Sequence, residues 1–279
     1  MILMTGEDIS KNINLELKQQ VKGYMIKPCL AVIQIGNNDI NDTYINAKIK
    51  TGNEIGIYVK HISFSEDTKE IEIINKIVEL NNDDYVNGIV LELPIPEKYN
   101  REKLINYIAR NKDVDGLTDL NLGKIFNNKK AYIPCVAQAI LVMCDFYNIA
   151  LEGKHVVIIN RSSLIGKPLA GLLLNRDATV TVCHSKTENL QSIINMADIV
   201  VSAVGKPNFI TKDMLKENTV VFDVGVSKID GILSGDVDNN KIDTKVAYLT
   251  PVIGGLGPVG ISMLFRNVIE SYQKMNDDK

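Results

Sequence analysis

Short runs rich in Val and Ile alternate along the chain with stretches whose apolar residues recur at helical spacing, which leaves few architectures open. Strand, helix and strand in succession make βαβ units, which set strands side by side in parallel and cover them with helices. In the first half, Leu30 to Ile35, Ile57 to Ile62 and Gly88 to Leu91 read as buried strands. Asp39 to Glu54 and Thr68 to Leu80 lie between them as helices, the second with Ile71, Ile74, Ile77 and Val78 on the apolar spacing. Leu104, Tyr107 and Ile108 mark a further helix before the polar stretch Asn111-Lys112-Asp113.

A linking helix is expected over Val136 to Tyr147, followed by a turn at Glu152-Gly153-Lys154. A second series of strands then reads at His155 to Ile159, Thr179 to Cys183, Asp198 to Ala203, Val220 to Asp223 and Val246 to Leu249. Helical patterns over Gly166 to Leu174 and Leu190 to Met196 fill the gaps. Crossovers of this length predict a doubly wound nucleotide-binding domain, with a last helix over Gly260 to Lys274 returning to the first domain.

Charge and composition exclude other classes. With 31 Lys and Arg against 34 Asp and Glu, and no basic run, the chain is not expected to bind nucleic acid. The longest apolar runs fall far short of the ~20 residues of a membrane span. Met1-Ile2-Leu3-Met4, followed at once by Gly6-Glu7-Asp8, lacks the build of a signal peptide, so a cytoplasmic location is expected. Cys29, Cys135, Cys144 and Cys183 are widely spaced and read as buried thiols, and His61, His155 and His184 are too scattered for a metal site.

The strand ending at Ile159 runs into Asn160-Arg161-Ser162-Ser163-Leu164-Ile165-Gly166-Lys167-Pro168 and a helix. A dinucleotide pyrophosphate fits such a turn, because free N–H groups and the helix dipole there attract anions. Only Gly166 of the usual glycine fingerprint is present. About twenty residues on, where an NAD enzyme places an acid for the ribose hydroxyls, stands Cys183-His184-Ser185-Lys186. Basic and hydroxyl groups suit a 2′-phosphate, so NADP is expected over NAD.

Tyr44 and Lys48 lie one helical turn apart and share a face. Glu92-Leu93-Pro94-Ile95-Pro96 ends a strand in a rigid rim, and Lys112-Asp113-Val114-Asp115-Gly116 places acids in a turn. With Arg161-Ser162, Cys183-His184-Ser185, Gly235-Asp236-Val237-Asp238 and Thr250-Pro251 through Gly254-Gly255-Leu256-Gly257-Pro258, these segments in this order resemble the bifunctional methylenetetrahydrofolate dehydrogenase/methenyltetrahydrofolate cyclohydrolase family over nearly the whole chain.

The resemblance implies an α/β fold of two domains flanking a cleft. Residues 1–137 plus 262–279 would form the folate-binding catalytic domain, and residues 138–261 a Rossmann-like NADP-binding domain through which the chain forms a homodimer. It implies a cytoplasmic enzyme of one-carbon metabolism and purine biosynthesis, acting on tetrahydrofolate derivatives. By position, Lys48 matches the catalytic lysine, Tyr44 the pterin-stacking tyrosine and Asp115 the acid that hydrogen-bonds the pterin. Asn160, Arg161 and Ser162 fall on the cofactor turn, Ser185 and Val226 on later cofactor contacts, and Gly254, Gly255, Gly257 and Pro258 on a loop beside the folate.

The chain departs from that pattern at positions that bear on chemistry. Glu92 stands beside the catalytic lysine where the family has glutamine, and Asn160 replaces a glycine. Cys135-Val136-Ala137-Gln138-Ala139 replaces a cysteine-threonine-proline-x-glycine run, and Ile253, Val259 and Gly260 stand for proline, methionine and threonine. A carboxylate near Lys48 favours its ammonium form, which would slow hydrolysis or move its pH optimum upward. A side chain at Asn160 would crowd an approaching phosphate and weaken NADP binding. These departures raise the alternative of a degenerate relative that binds folate or nucleotide without efficient turnover. A second alternative is an unrelated NAD(P)-dependent dehydrogenase that shares only the fold.

Overall fold

The computed structural model describes residues 1–229, 232–238, 242 and 245–277. Its strands are β1 (Ile2–Leu3), β2 (Cys29–Ile35), β3 (Tyr58–Phe64), β4 (Gly88–Leu91), β5 (His155–Ile159), β6 (Thr179–Cys183), β7 (Ile199–Ser202), β8 (Thr219–Asp223), β9 (Val226–Ile229), β10 (Ile232–Gly235) and β11 (Val246–Leu249). The helices are α1 (Glu7–Lys22), α2 (Asp39–Ile55), α3 (Glu70–Asn82), α4 (Arg101–Asn106), α5 (Asp119–Phe126), α6 (Cys135–Phe146), α7 (Gly166–Leu174), α8 (Leu190–Asn195) and α9 (Leu256–Asp277). The expected α/β architecture with parallel sheets is what the chain adopts.

Two compact units divide the chain. One comprises residues 10–124, 130–135 and 261–279, the other residues 1–9, 125–129 and 136–260. In the first, β2 lies between β3 and β4 in a three-stranded parallel sheet. All seven residues of β2 are buried, as a strand covered on both faces requires, and its sequence is accordingly an almost unbroken apolar run. Ile73, Ile77 and Leu80 of α3 pack with Ile33, Ile89 and Leu91 in one core. The one polar side chain of β2, Gln34, is satisfied on both sides: its amide donates to Asp42 (2.7 Å), and its carbonyl oxygen lies 2.8 Å from His61 Nε2.

In the second unit a six-stranded parallel sheet runs β1-β11-β8-β7-β5-β6. Strands β7 and β8 are buried throughout, as is β5 apart from its first residue, and together they form the floor on which the loops after Ile159, Ser202 and Asp223 stand. The first strand extends this sheet through Ile2↔Tyr248 and Leu3↔Leu249. Its entry is held by Met4 N–H on the Leu249 carbonyl (2.8 Å) and Gly6 N–H on that of Gly254 (2.7 Å). Gly6 admits no side chain, since a Cβ there would lie 2.1 Å from the Gly255 carbonyl oxygen.

The last helix begins at Leu256, earlier than the expected Gly260. Gly257 and Pro258 therefore sit in its first turn, where a missing proline N–H costs nothing, rather than in a loop. Within Gly254 to Pro258, Gly254 alone has a positive φ, +75°.

Candidate active site

In the first unit, α2 and the end of β4 bring two expected residues into contact. Lys48 Nζ lies 2.5 Å from Glu92 Oε2, and both side chains are almost wholly withdrawn from solvent, at 11% and 6% exposure. The backbone fixes the carboxylate's place, because Glu92 N–H donates to the Ile33 carbonyl (2.8 Å) and so extends the β4 pairing by one residue. One turn before Lys48, Tyr44 is partly exposed. Burial raises its phenol pKa, and the Glu92 carboxylate adds to that effect.

Asp115 completes the group. Burial pushes its carboxyl pKa up against the opposing pull of the Lys48 ammonium and of the neighbouring Cys135 thiol. Cys135 is buried, its pKa is driven well up by burial and then by Asp115, and its thiol donates to the Val114 carbonyl (3.8 Å). The rest of this segment is structural. Lys112 Nζ donates to the carbonyls of Leu80 (2.9 Å) and Asp83 (2.7 Å). Asp113 collects the N–H groups of Leu117 and Thr118, the Thr118 hydroxyl and the Asn121 amide. Gly116, at φ +70°, cannot carry a side chain, since a Cβ would come within 2.5 Å of the Tyr132 carbonyl oxygen.

One residue of this group escaped the sequence reading. Asn41 is fully buried, and its amide donates to the Pro94 carbonyl (3.0 Å), tying the proline rim to α2. Its place one turn before Tyr44 was the available signal.

In the second unit, Asn160 organises the turn between β5 and α7. Its Oδ1 accepts from Ser162 N–H (2.8 Å), Ser162 Oγ (2.7 Å) and Gly166 N–H (3.1 Å). Its Nδ2 donates to the Ala203 carbonyl (2.6 Å) beyond β7. Gly166 is required, because a Cβ would stand 2.0 Å from the Asn160 carbonyl oxygen. Arg161 is exposed, and Ser162 and Ser163 after it are half-buried. The pairing Ile159↔Cys183 sets this turn beside the end of β6, where His184, Ser185 and Lys186 follow with no acid among them. A helix N-terminus with hydroxyl and cationic neighbours fits a phosphorylated dinucleotide. Val226 opens β9 and is partly exposed, and Gly254, Gly255, Gly257 and Pro258 lie at the start of α9.

The order of these parts finds a counterpart in known proteins. Residues 4–115 match the catalytic domain, and residues 134–276 the NAD(P)-binding domain, of tetrahydrofolate dehydrogenase/cyclohydrolase. The chain belongs to the tetrahydrofolate dehydrogenase/cyclohydrolase family. It is 44% identical over 273 residues to the bifunctional protein FolD of Clostridium novyi, covering 96% of this chain and 98% of that one. The solved FolD methylenetetrahydrofolate dehydrogenase/cyclohydrolase of Campylobacter jejuni superposes with a TM-score of 0.95 at 38% identity, covering 98% of this chain and 99% of that one. The Trypanosoma brucei dehydrogenase-cyclohydrolase, solved with NADP and an inhibitor, superposes with a TM-score of 0.93 at 30% identity, covering 98% of both chains. Membership removes the reading of an unrelated dehydrogenase. The catalytic-domain match contains Tyr44, Lys48, Glu92 and Asp115. The NAD(P)-binding match contains Asn160, Arg161, Ser162, Ser185 and Val226.

A second carboxylate in the family's cofactor half behaves unusually. Asp223, 5% exposed, has its pKa raised to about 6 by burial, although the N–H groups of Asp236 and Val237 donate to it. A carboxyl that binds its proton more tightly folded than unfolded stabilises the fold below the unfolded value near 3.8, and that contribution is lost as pH rises through about 6. The two values differ by about 2 units, or about 3 kcal/mol. Urea unfolding at stepped pH is expected to show Asp223→Asn gaining on the natural chain between pH 4 and pH 7. A stability difference that stays flat over that range would refute the assignment.

Proposed function

We propose that the chain oxidises 5,10-methylenetetrahydrofolate to 5,10-methenyltetrahydrofolate with NADP, and hydrolyses the product to 10-formyltetrahydrofolate. The observation that carries this reading is the buried Lys48–Glu92 pair with Asp115 and Tyr44 around it, inside the segment that matches the family's catalytic domain. NADP, when bound, supplies the acceptor for the hydride that leaves the methylene carbon.

The chain's own residues then position and move protons. Tyr44 stacks on the pterin, and Asp115 hydrogen-bonds its ring. Both fix the reacting carbon, which is the main demand of a hydride transfer. In hydrolysis, water adds to the methenyl carbon and the bond from that carbon to N5 breaks. The Lys48 amine takes a proton from the adding water and returns one to N5, and the second water proton leaves to solvent. Gly254, Gly255, Gly257 and Pro258 lie beside the folate in this reading. Asn160, Arg161, Ser162, Ser185 and Val226 serve the cofactor. The unit of residues 10–124, 130–135 and 261–279 serves the folate, and the unit of residues 1–9, 125–129 and 136–260, rather than 138–261 alone, serves NADP and is where two copies associate. The setting is cytoplasmic one-carbon metabolism feeding purine biosynthesis, with neither nucleic acid nor membrane as partner.

Appearance of methenyltetrahydrofolate absorbance tests the reading, with NADP and then NAD as oxidant. NADP is expected to win in kcat/KM by at least about tenfold, the worth of one charge-assisted contact of about 1.5 kcal/mol to the 2′-phosphate. Absence of product with both would overturn the activity, and preference for NAD would overturn the roles of Ser185 and its neighbours.

A further inference from the structure

Asp236 belongs to the Gly235-Asp236-Val237-Asp238 segment, which the reaction above leaves without a role. It is fully buried. Its carboxylate is met by three donors: Ser202 Oγ (2.8 Å) and Val204 N–H (2.7 Å) on Oδ2, and Lys206 N–H (2.8 Å) on Oδ1. Gly225 packs so tightly against it that a Cβ there would stand 2.2 Å from the carboxyl group. Burying an ionised carboxylate costs several kcal/mol unless such donors offset it. What the carboxylate secures is the course of the main chain from Ser202 to Lys206.

That stretch leads directly to the cofactor turn. Ala203, between two residues bound to Asp236, donates its N–H to the Ile159 carbonyl (3.4 Å) and accepts Asn160 Nδ2 on its own carbonyl (2.6 Å). Asn160 in turn gathers Ser162 and Gly166 at the start of α7. One hydrogen-bonded path therefore runs from Asp236 through Val204 and Ala203 to Asn160 and the turn.

We propose that Asp236 is a positioning residue for the dinucleotide: it fixes residues 202–206 and, through Ala203 and Asn160, the β5–α7 turn that receives the pyrophosphate. The proposal rests on the NADP-binding reading of that turn. Asparagine at position 236 keeps the shape but must turn an NH2 group toward an N–H donor in either amide orientation. The path then slackens without loss of volume.

Calorimetric titration of the full chain with NADP, alongside hydrolysis of preformed 5,10-methenyltetrahydrofolate in the absence of NADP, separates this role from general destabilisation. Asp236→Asn is expected to weaken NADP binding at least tenfold and to leave the hydrolysis rate within twofold. Ser202→Ala, which removes one of the three donors, should weaken NADP binding two- to fivefold, and it carries the test alone if Asp236→Asn does not fold. Unchanged NADP affinity, or hydrolysis falling in step with affinity, overturns the proposal. A natural chain that binds no NADP overturns the cofactor reading itself, and is told apart because it fails before any substitution is made.

Discussion

Replacing Lys48 by Met is expected to lower the hydrolysis of 5,10-methenyltetrahydrofolate by about 10²- to 10⁴-fold, the range for loss of a positioned proton-transfer group. The dehydrogenase step, which needs position more than proton transfer, should fall far less. The substitution also leaves Glu92 buried without its partner, and breaking such a pair costs about 3–5 kcal/mol. The double variant Lys48→Met with Glu92→Gln removes that charge. It should regain stability without regaining hydrolysis. Equal loss of both activities in the double variant would mean that Lys48 holds the substrate in place and takes no part in the proton transfers.

Glu92→Gln should act in the opposite direction. With its oxygen 2.5 Å from Nζ, the carboxylate holds the Lys48 side chain in a buried ion pair that must loosen before Nζ reaches the substrate. Glutamine preserves a hydrogen-bond acceptor at the same place and removes the charge. Hydrolysis near neutral pH is expected to rise about tenfold, or about 1.4 kcal/mol in the barrier. An unaltered rate would show that Glu92 does not restrain the amine.

The inner strands β2, β4, β5, β7 and β8 were legible because they are buried and so are written as nearly continuous apolar runs, and the more exposed β3 and β6 by their β-branched residues. His155–Ile159, Thr179–Cys183, Gly88–Leu91 and Val246–Leu249 have the bounds their sequences suggest. Helix α1 was passed over, although Ile9, Ile13, Leu17 and Val21 recur every four residues and are all buried, because the charged residues between them dilute the pattern. The antiparallel β9–β10 pair was missed for the opposite reason: among its described side chains, Val226 and Leu233 are partly exposed. In the site, Tyr44, Lys48, Glu92 and Asp115 were found by their place in ordered motifs. Asn41 offered only its spacing from Tyr44 and the Asp236 path offered nothing, since a buried amide or carboxylate is identified by its partners, and those lie 53 and 30 to 34 residues away in the chain.

The pairing of Ile2–Leu3 with β11 has a practical corollary for anyone cutting the gene. The cofactor half is not one continuous stretch of code. A fragment starting at residue 136 would leave the outer rim of β11 bare, and unpaired strand rims invite self-association. A soluble excised half would need its first nine residues grafted back, either as a leading extension or supplied as a separate peptide.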